Sequence, residues 1–97
     1  MKLRFTPRAT ANLEEIAEYP RSRDPNAAQS VRAAIYNSLE MLLLFPWLRR
    51  RQRAEGVRKL VTRRYGYLLY YTVDETTDEI VILSIKHPAQ RGEHSNA

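Results

Sequence analysis

At 97 residues, the chain has room for one domain built around a single core, and folding at this size removes roughly two-thirds of the unfolded chain's surface, which leaves no room for a second domain or a deep substrate pocket. Lys and Arg number 16 against 11 acids, so the net charge of +5 favours nucleic acid, an acidic protein or an anionic surface as a partner. Cysteine is absent and His87 and His94 are the only histidines, which excludes a disulfide framework, a thiol nucleophile and a thiolate metal site and points to a reducing cytoplasm; neither a metal nor a cofactor is expected.

Lys2-Leu3-Arg4-Phe5 alternates polar and apolar as a short half-buried strand does. Thr6-Pro7 then reads as an N-cap with proline at the first helical position, where the missing N–H is harmless. Ala9, Leu13, Ile16 and Ala17 recur at helical spacing, and Pro20 with Arg21-Ser22-Arg23 is expected to stop this helix. Asp24-Pro25 repeats the start signal. From Ala28, the residues Val31, Ala34, Ile35, Leu39, Leu42 and Phe45 keep a helical period until Pro46. So short a connection predicts an antiparallel helical hairpin whose apolar stripe covers a sheet.

Trp47 to Glu55 is a charge-dense connection with no apolar period. Val57–Thr62 reads as a strand, Tyr65–Val73 as a central strand apolar on both faces, Asp74–Asp78 as a polar hairpin turn and Glu79–Lys86 as the last strand. The expected domain covers residues 1–91, and 92–97 read as a flexible polar tail. The longest apolar run, Met41 to Leu48, holds Pro46 and is far short of the roughly 20 residues of a membrane span; Met1 to Phe5 is followed by no apolar leader segment. The fold class is therefore α+β: strand, helix, helix, then a three-stranded antiparallel meander, with helices on one face and the opposite sheet face available for binding.

This order, with Arg4-Phe5-Thr6-Pro7-Arg8-Ala9, Leu13-Glu14-Glu15-Ile16, Asp24-Pro25-Asn26-Ala27-Ala28, Phe45-Pro46, Gly56-Val57-Arg58-Lys59-Leu60, Tyr65-Gly66-Tyr67-Leu68-Leu69-Tyr70-Tyr71 and Ile82-Leu83-Ser84-Ile85-Lys86-His87, resembles the ParE branch of the RelE/ParE toxin superfamily. The resemblance runs from about Leu3 to Arg91 and rests on order and spacing rather than on any one motif. It implies the toxic half of a type II toxin-antitoxin pair, neutralised by a ParD-like antitoxin in a complex of 2:2 or larger. ParE toxins inhibit DNA gyrase and trap it on cleaved DNA, whereas RelE relatives cut messenger RNA on the ribosome; a shared fold does not choose between the two.

RNA cleavage through a 2′-hydroxyl needs a base, an acid and cations around the phosphate, and the residues that could supply them here are Glu55, Arg58 and His87. A strand-end histidine before proline is more often structural. Eight of the 16 basic residues, Arg49, Arg50, Arg51, Arg53, Arg58, Lys59, Arg63 and Arg64, stand in one window holding a single acid, Glu55. Such a run is by default a solvated face, yet it also suits phosphates, including those of gyrase-bound DNA. Arg58, Lys59, Arg63 and Arg64 are the expected toxicity residues. Leu13, Ile16, Val31, Ile35, Leu42 and Trp47 are expected to form the antitoxin groove or the core beneath it, where arginines would meet an acidic, apolar segment. No glycine-rich phosphate loop and no nucleophile-base-acid triad can be assembled. A non-enzymatic inhibitor is therefore the expectation, with a ribosome-dependent endoribonuclease as the rival and a toxin without poison activity as a third class.

Overall fold

A computed structural model describes residues 1–21, 25–46 and 56–88 of the chain, with backbone only for 17–21 and 25. The elements run β1 (Lys2–Phe5), α1 (Pro7–Arg21), α2 (Pro25–Leu44), β2 (Arg58–Val61), β3 (Leu68–Asp74) and β4 (Glu79–Lys86). They form one four-stranded sheet of order β1-β4-β3-β2, in which the first strand is parallel to the last and the remaining pairs are antiparallel. The α+β class and the order of elements are as the sequence implies.

Thr6 starts α1 as expected: its hydroxyl accepts the Ala9 N–H at 3.1 Å, and the Thr10 N–H reaches its carbonyl at 2.9 Å. The helix ends at Arg21, inside the Pro20 to Arg23 stretch expected to stop it. A proline removes one amide donor from the ladder, and in the last turn that is a loss of a single bond. The α2 helix ends before Pro46, whose carbonyl accepts the Tyr71 hydroxyl at 3.2 Å and so ties the helix end to the middle of the sheet.

The β2 strand is one residue shorter at each end than the Val57–Thr62 expected. The β3 strand starts at Leu68, not at Tyr65, because Tyr65 and Gly66 have φ of 69° and 67° and no extended strand accommodates that. At the other end of β3, the Asp74 carboxylate accepts the N–H groups of Thr76 and Thr77 at 3.0 and 3.3 Å and closes the turn into β4. Those bonds, led by the one from the Thr77 backbone, hold the Asp74 carboxyl below its usual range.

Tyr70 pairs with Ser84 but Tyr71 pairs with Ile82, so Leu83 is an extra residue bulged out of β4. The bulge resets the alternation, and Ile80, Ile82 and Ile85 all face the helices. Its backbone groups are satisfied from the other end of the chain. The Thr6 N–H donates to Ile82 O at 3.0 Å, the Thr6 hydroxyl to Leu83 O at 2.9 Å, and the Ile85 N–H donates to Asn12 Oδ1 at 3.0 Å.

The core lies between the helices and the sheet: Ala9 from α1, Val31, Ile35, Leu39 and Leu42 from α2, and Leu60, Leu69, Tyr71, Ile80, Ile82 and Ile85 from the strands, with Leu13 and Ile16 packed against its edge. The opposite sheet face is not the open platform that the sequence suggests. Tyr70, Val81 and Ser84 on that face are buried, and the Lys86 ammonium sits 5.6 Å from the centre of the Tyr70 ring. No described helix is long and apolar enough to cross a membrane.

Candidate functional site

The β2 strand is a sheet edge. Between it and α2 runs a groove of about 630 Å³ whose α2 wall is Ala34, Asn37, Ser38 and Met41 and whose β2 wall is Leu60 and Val61. Residues 34, 37, 38 and 41 are one helix face at i, i+3, i+4 and i+7. Met41 and Val61 are about half exposed, and Tyr36, Leu44 and Phe45 add further exposed apolar area along α2. Arg63 and Arg64 line the same groove from the β2–β3 hairpin.

That hairpin tip is tightly built. The Thr62 hydroxyl donates to Arg64 O at 2.6 Å and accepts the Tyr67 N–H at 2.9 Å, while the Thr62 N–H donates to Tyr67 O at 2.8 Å. Within this frame Tyr65 stands in the left-handed region at an energetic cost of roughly 1–2 kcal/mol for a residue with a Cβ. Its ring is 45% exposed, with the Arg64 guanidinium 5.2 Å from its centre. Among the described residues Arg63 and Arg64 make no ion pair with a carboxylate.

The four basic residues expected to carry toxicity do not form one patch. Lys59 stands opposite Tyr70 on the face away from the helices; Arg58 stands opposite Tyr71 on the helix-facing side; Arg63 and Arg64 sit on the hairpin tip. His87 follows β4 and meets Tyr67 edge to face, ring centres 5.4 Å apart. It is level with Tyr67, whereas Arg58 is level with Tyr71. Four residues along β3 is about 13 Å, and two strand spacings add roughly 9–10 Å across, so Arg58 and His87 are not brought together. Glu55 and Trp47 lie outside the described residues. Burial, and to a lesser extent Tyr65, pushes the Tyr67 phenol above its usual range.

Of the residues expected at the antitoxin groove, Val31, Ile35 and Leu42 are buried in the core beneath it and Leu13 and Ile16 are partly buried at the edge of that core. The groove wall is formed by residues that the apolar count passed over, Asn37, Ser38 and Met41. Their helical spacing is a usable signal, as is the glycine of Tyr65-Gly66, which marks a turn within the expected strand. No group of His, Asp or Glu among the described residues is arranged to hold a metal ion.

Residues 3–92 match the family model described as the ParE toxin of the type II toxin-antitoxin system parDE. A protein of Sinorhizobium fredii named "Putative toxin Y4kP" is 31% identical over 90 residues, which span 93% of this chain and 91% of that one. Among solved structures, the chromosomal ParDE system of P. aeruginosa superposes with a TM-score of 0.76 at 26% identity, over 90% of this chain and 95% of that one. The intact E. coli RelBE toxin-antitoxin complex gives 0.70 at 19% identity, over 96% and 98%, a likeness of fold alone.

Proposed function

Since the chain belongs to the ParE toxin family of type II toxin-antitoxin systems, we propose that it is a non-enzymatic inhibitor of DNA gyrase in the cytoplasm, held inactive by a ParD-like antitoxin. The observation that carries the non-enzymatic reading is the separation of Arg58 from His87 by more than half the length of β3. Ribonuclease chemistry on those two groups needs both within hydrogen-bond reach of one phosphodiester, and neither side chain spans that gap. Arg63 and Arg64 at the hairpin tip, without a carboxylate partner among the described residues, instead suit an acidic protein surface or the phosphates of gyrase-bound DNA.

The antitoxin reading rests on the groove between α2 and β2. An apolar floor beside an edge strand, with Arg63 and Arg64 at its rim, fits an acidic, amphipathic segment that orders on binding. Antitoxin dimerisation through a separate DNA-binding part would make the complex 2:2 or larger.

The test is plasmid supercoiling by purified gyrase with the full chain added, with and without the antitoxin. Trapped cleaved DNA that antitoxin relieves is the expected result. Undisturbed gyrase, with cleavage of ribosome-bound message, would replace this reading with that of an endoribonuclease.

A further inference from the structure

The hairpin tip carries a feature that neither the turn nor the core accounts for. Tyr65 is absent from the core cluster, half exposed and held at φ 69°. The turn itself is fixed by the three hydrogen bonds that Thr62 makes with Arg64 and Tyr67, none of which involves the Tyr65 side chain. Glycine or asparagine at position 65 would build the same turn without strain. The aromatic ring thus stands against the local backbone preference, and such strain at an exposed tip is a reason to look for a function there.

The surroundings of the ring define what it could bind. The Arg64 guanidinium lies 5.2 Å from the ring centre, with Nη2 3.5 Å from the Tyr65 hydroxyl, and Arg63 precedes it, both exposed and without a carboxylate partner among the described residues. Guanidinium groups take phosphate oxygens in a forked geometry. A phenol ring presented to solvent offers a face on which a base stacks. Among nucleic-acid strands, phosphate and accessible base face lie side by side where the bases are unpaired, since a duplex offers its phosphates but keeps its base faces stacked inside.

The geometry points to a binding element for single-stranded nucleic acid at Arg63, Arg64 and Tyr65, in which the arginines hold a phosphate and Tyr65 stacks the adjoining base. An acidic peptide would satisfy the arginines but leave the tyrosine unused. The site covers one or two nucleotides and reads no sequence. It goes beyond the gyrase reading and holds or fails without it, because its assay contains neither gyrase nor antitoxin.

The experiment is fluorescence anisotropy of a fluorescein-labelled dT10 strand and of a labelled hairpin duplex of ten G·C pairs, titrated with the full chain at 50 and 200 mM salt. The single strand is expected to bind more tightly than the duplex. Tyr65→Gly, which suits the backbone angle, should weaken the single strand about tenfold and leave the duplex within twofold, whereas Tyr65→Phe should keep wild-type binding. Arg63→Gln should weaken both and reduce the salt slope by about one. Equal binding of strand and duplex overturns the proposal, as does a folded Tyr65→Gly variant with unchanged affinity. So does displacement of dT10 by polyglutamate as efficient as by unlabelled strand, because charge alone would then explain the binding.

Discussion

Asn12 on α1 accepts the Ile85 backbone N–H at 3.0 Å, joining residues that are 73 positions apart. The bond exists because Leu83 bulges out of β4 just before it, and a helix side chain supplies what the bulged strand does not. Asn12→Ala leaves a largely buried amide without a partner, at a cost of about 1–3 kcal/mol, whereas Asn12→Asp keeps an acceptor and should lose less. For a domain of this size each kilocalorie is about 4–8 °C in Tm, so differential scanning calorimetry separates the variants. Equal melting of Asn12→Ala and wild type would remove the bond from the account.

Thr6 serves the same bulge from the other side. Its hydroxyl accepts from Ala9 and donates to Leu83, so Thr6→Val removes a helix cap and a long-range bond together. The expected loss is about 2 kcal/mol, read from urea unfolding. Thr6→Ser should retain most of it. Since Thr6 and Asn12 support one bulge, the Thr6→Val/Asn12→Ala double variant should lose less than the sum of the single losses; strict additivity would show that the two bonds act independently.

The elements that were legible in the sequence are those whose signal is local. Thr6-Pro7, the alternation of Lys2 to Phe5 and the apolar period of Val31 to Leu42 each carry their own structure. What escaped depends on partners far along the chain. The backbone groups around the bulge at Leu83 are bonded by Thr6 and Asn12, which no window around β4 contains. Tyr65 looked like strand because an aromatic residue in a run of Tyr and Leu fits a pleated surface, and only its φ of 69° shows otherwise. Arg58 and His87 read as a possible pair because sequence gives residue types without the register, which sets Arg58 level with the middle of β3 and His87 just before its start.

The strain at position 65 gives an ordering of stabilities. Relief of the left-handed penalty, roughly 1–2 kcal/mol, outweighs the exposed cation–π contact of about 0.5–1 kcal/mol. Tyr65→Gly and Tyr65→Asn should therefore melt at or above the wild type, and Tyr65→Val, β-branched, below it. A Tyr65→Gly variant that melts well below wild type would mean that the ring supports the fold after all.

Tyr67 sets an alkaline limit. Its folded-state pKa is raised above the ordinary 10.0, first by burial and then by Tyr65, so above pH 10 the unfolded chain gives up this proton before the folded chain does. The unfolded state then binds fewer protons, and stability falls as pH rises through the folded pKa, while below pH 10 the contribution is complete. Tyr67→Phe removes the titrating group. Thermal melts between pH 9 and 11 should show a shallower decline for the variant, and parallel slopes would show that Tyr67 does not contribute to alkaline unfolding.

Groove and core can be told apart on neighbouring positions of α2. Ile35 is fully buried, and Ile35→Ala should cost about 2–5 kcal/mol through lost transfer energy and the cavity left behind. Met41 is 49% exposed and lines the groove, so Met41→Glu should change stability by less than about 0.5 kcal/mol. The same charge would face the acidic segment proposed for the groove and be buried against it without a partner. Antitoxin affinity measured by calorimetry should fall at least tenfold for Met41→Glu, with the melting temperature held. Arg64→Glu reverses a cation on the opposite wall and should weaken binding further, more strongly at low salt than at high salt. Undiminished affinity in both variants would move the antitoxin away from the groove between α2 and the β2 edge strand.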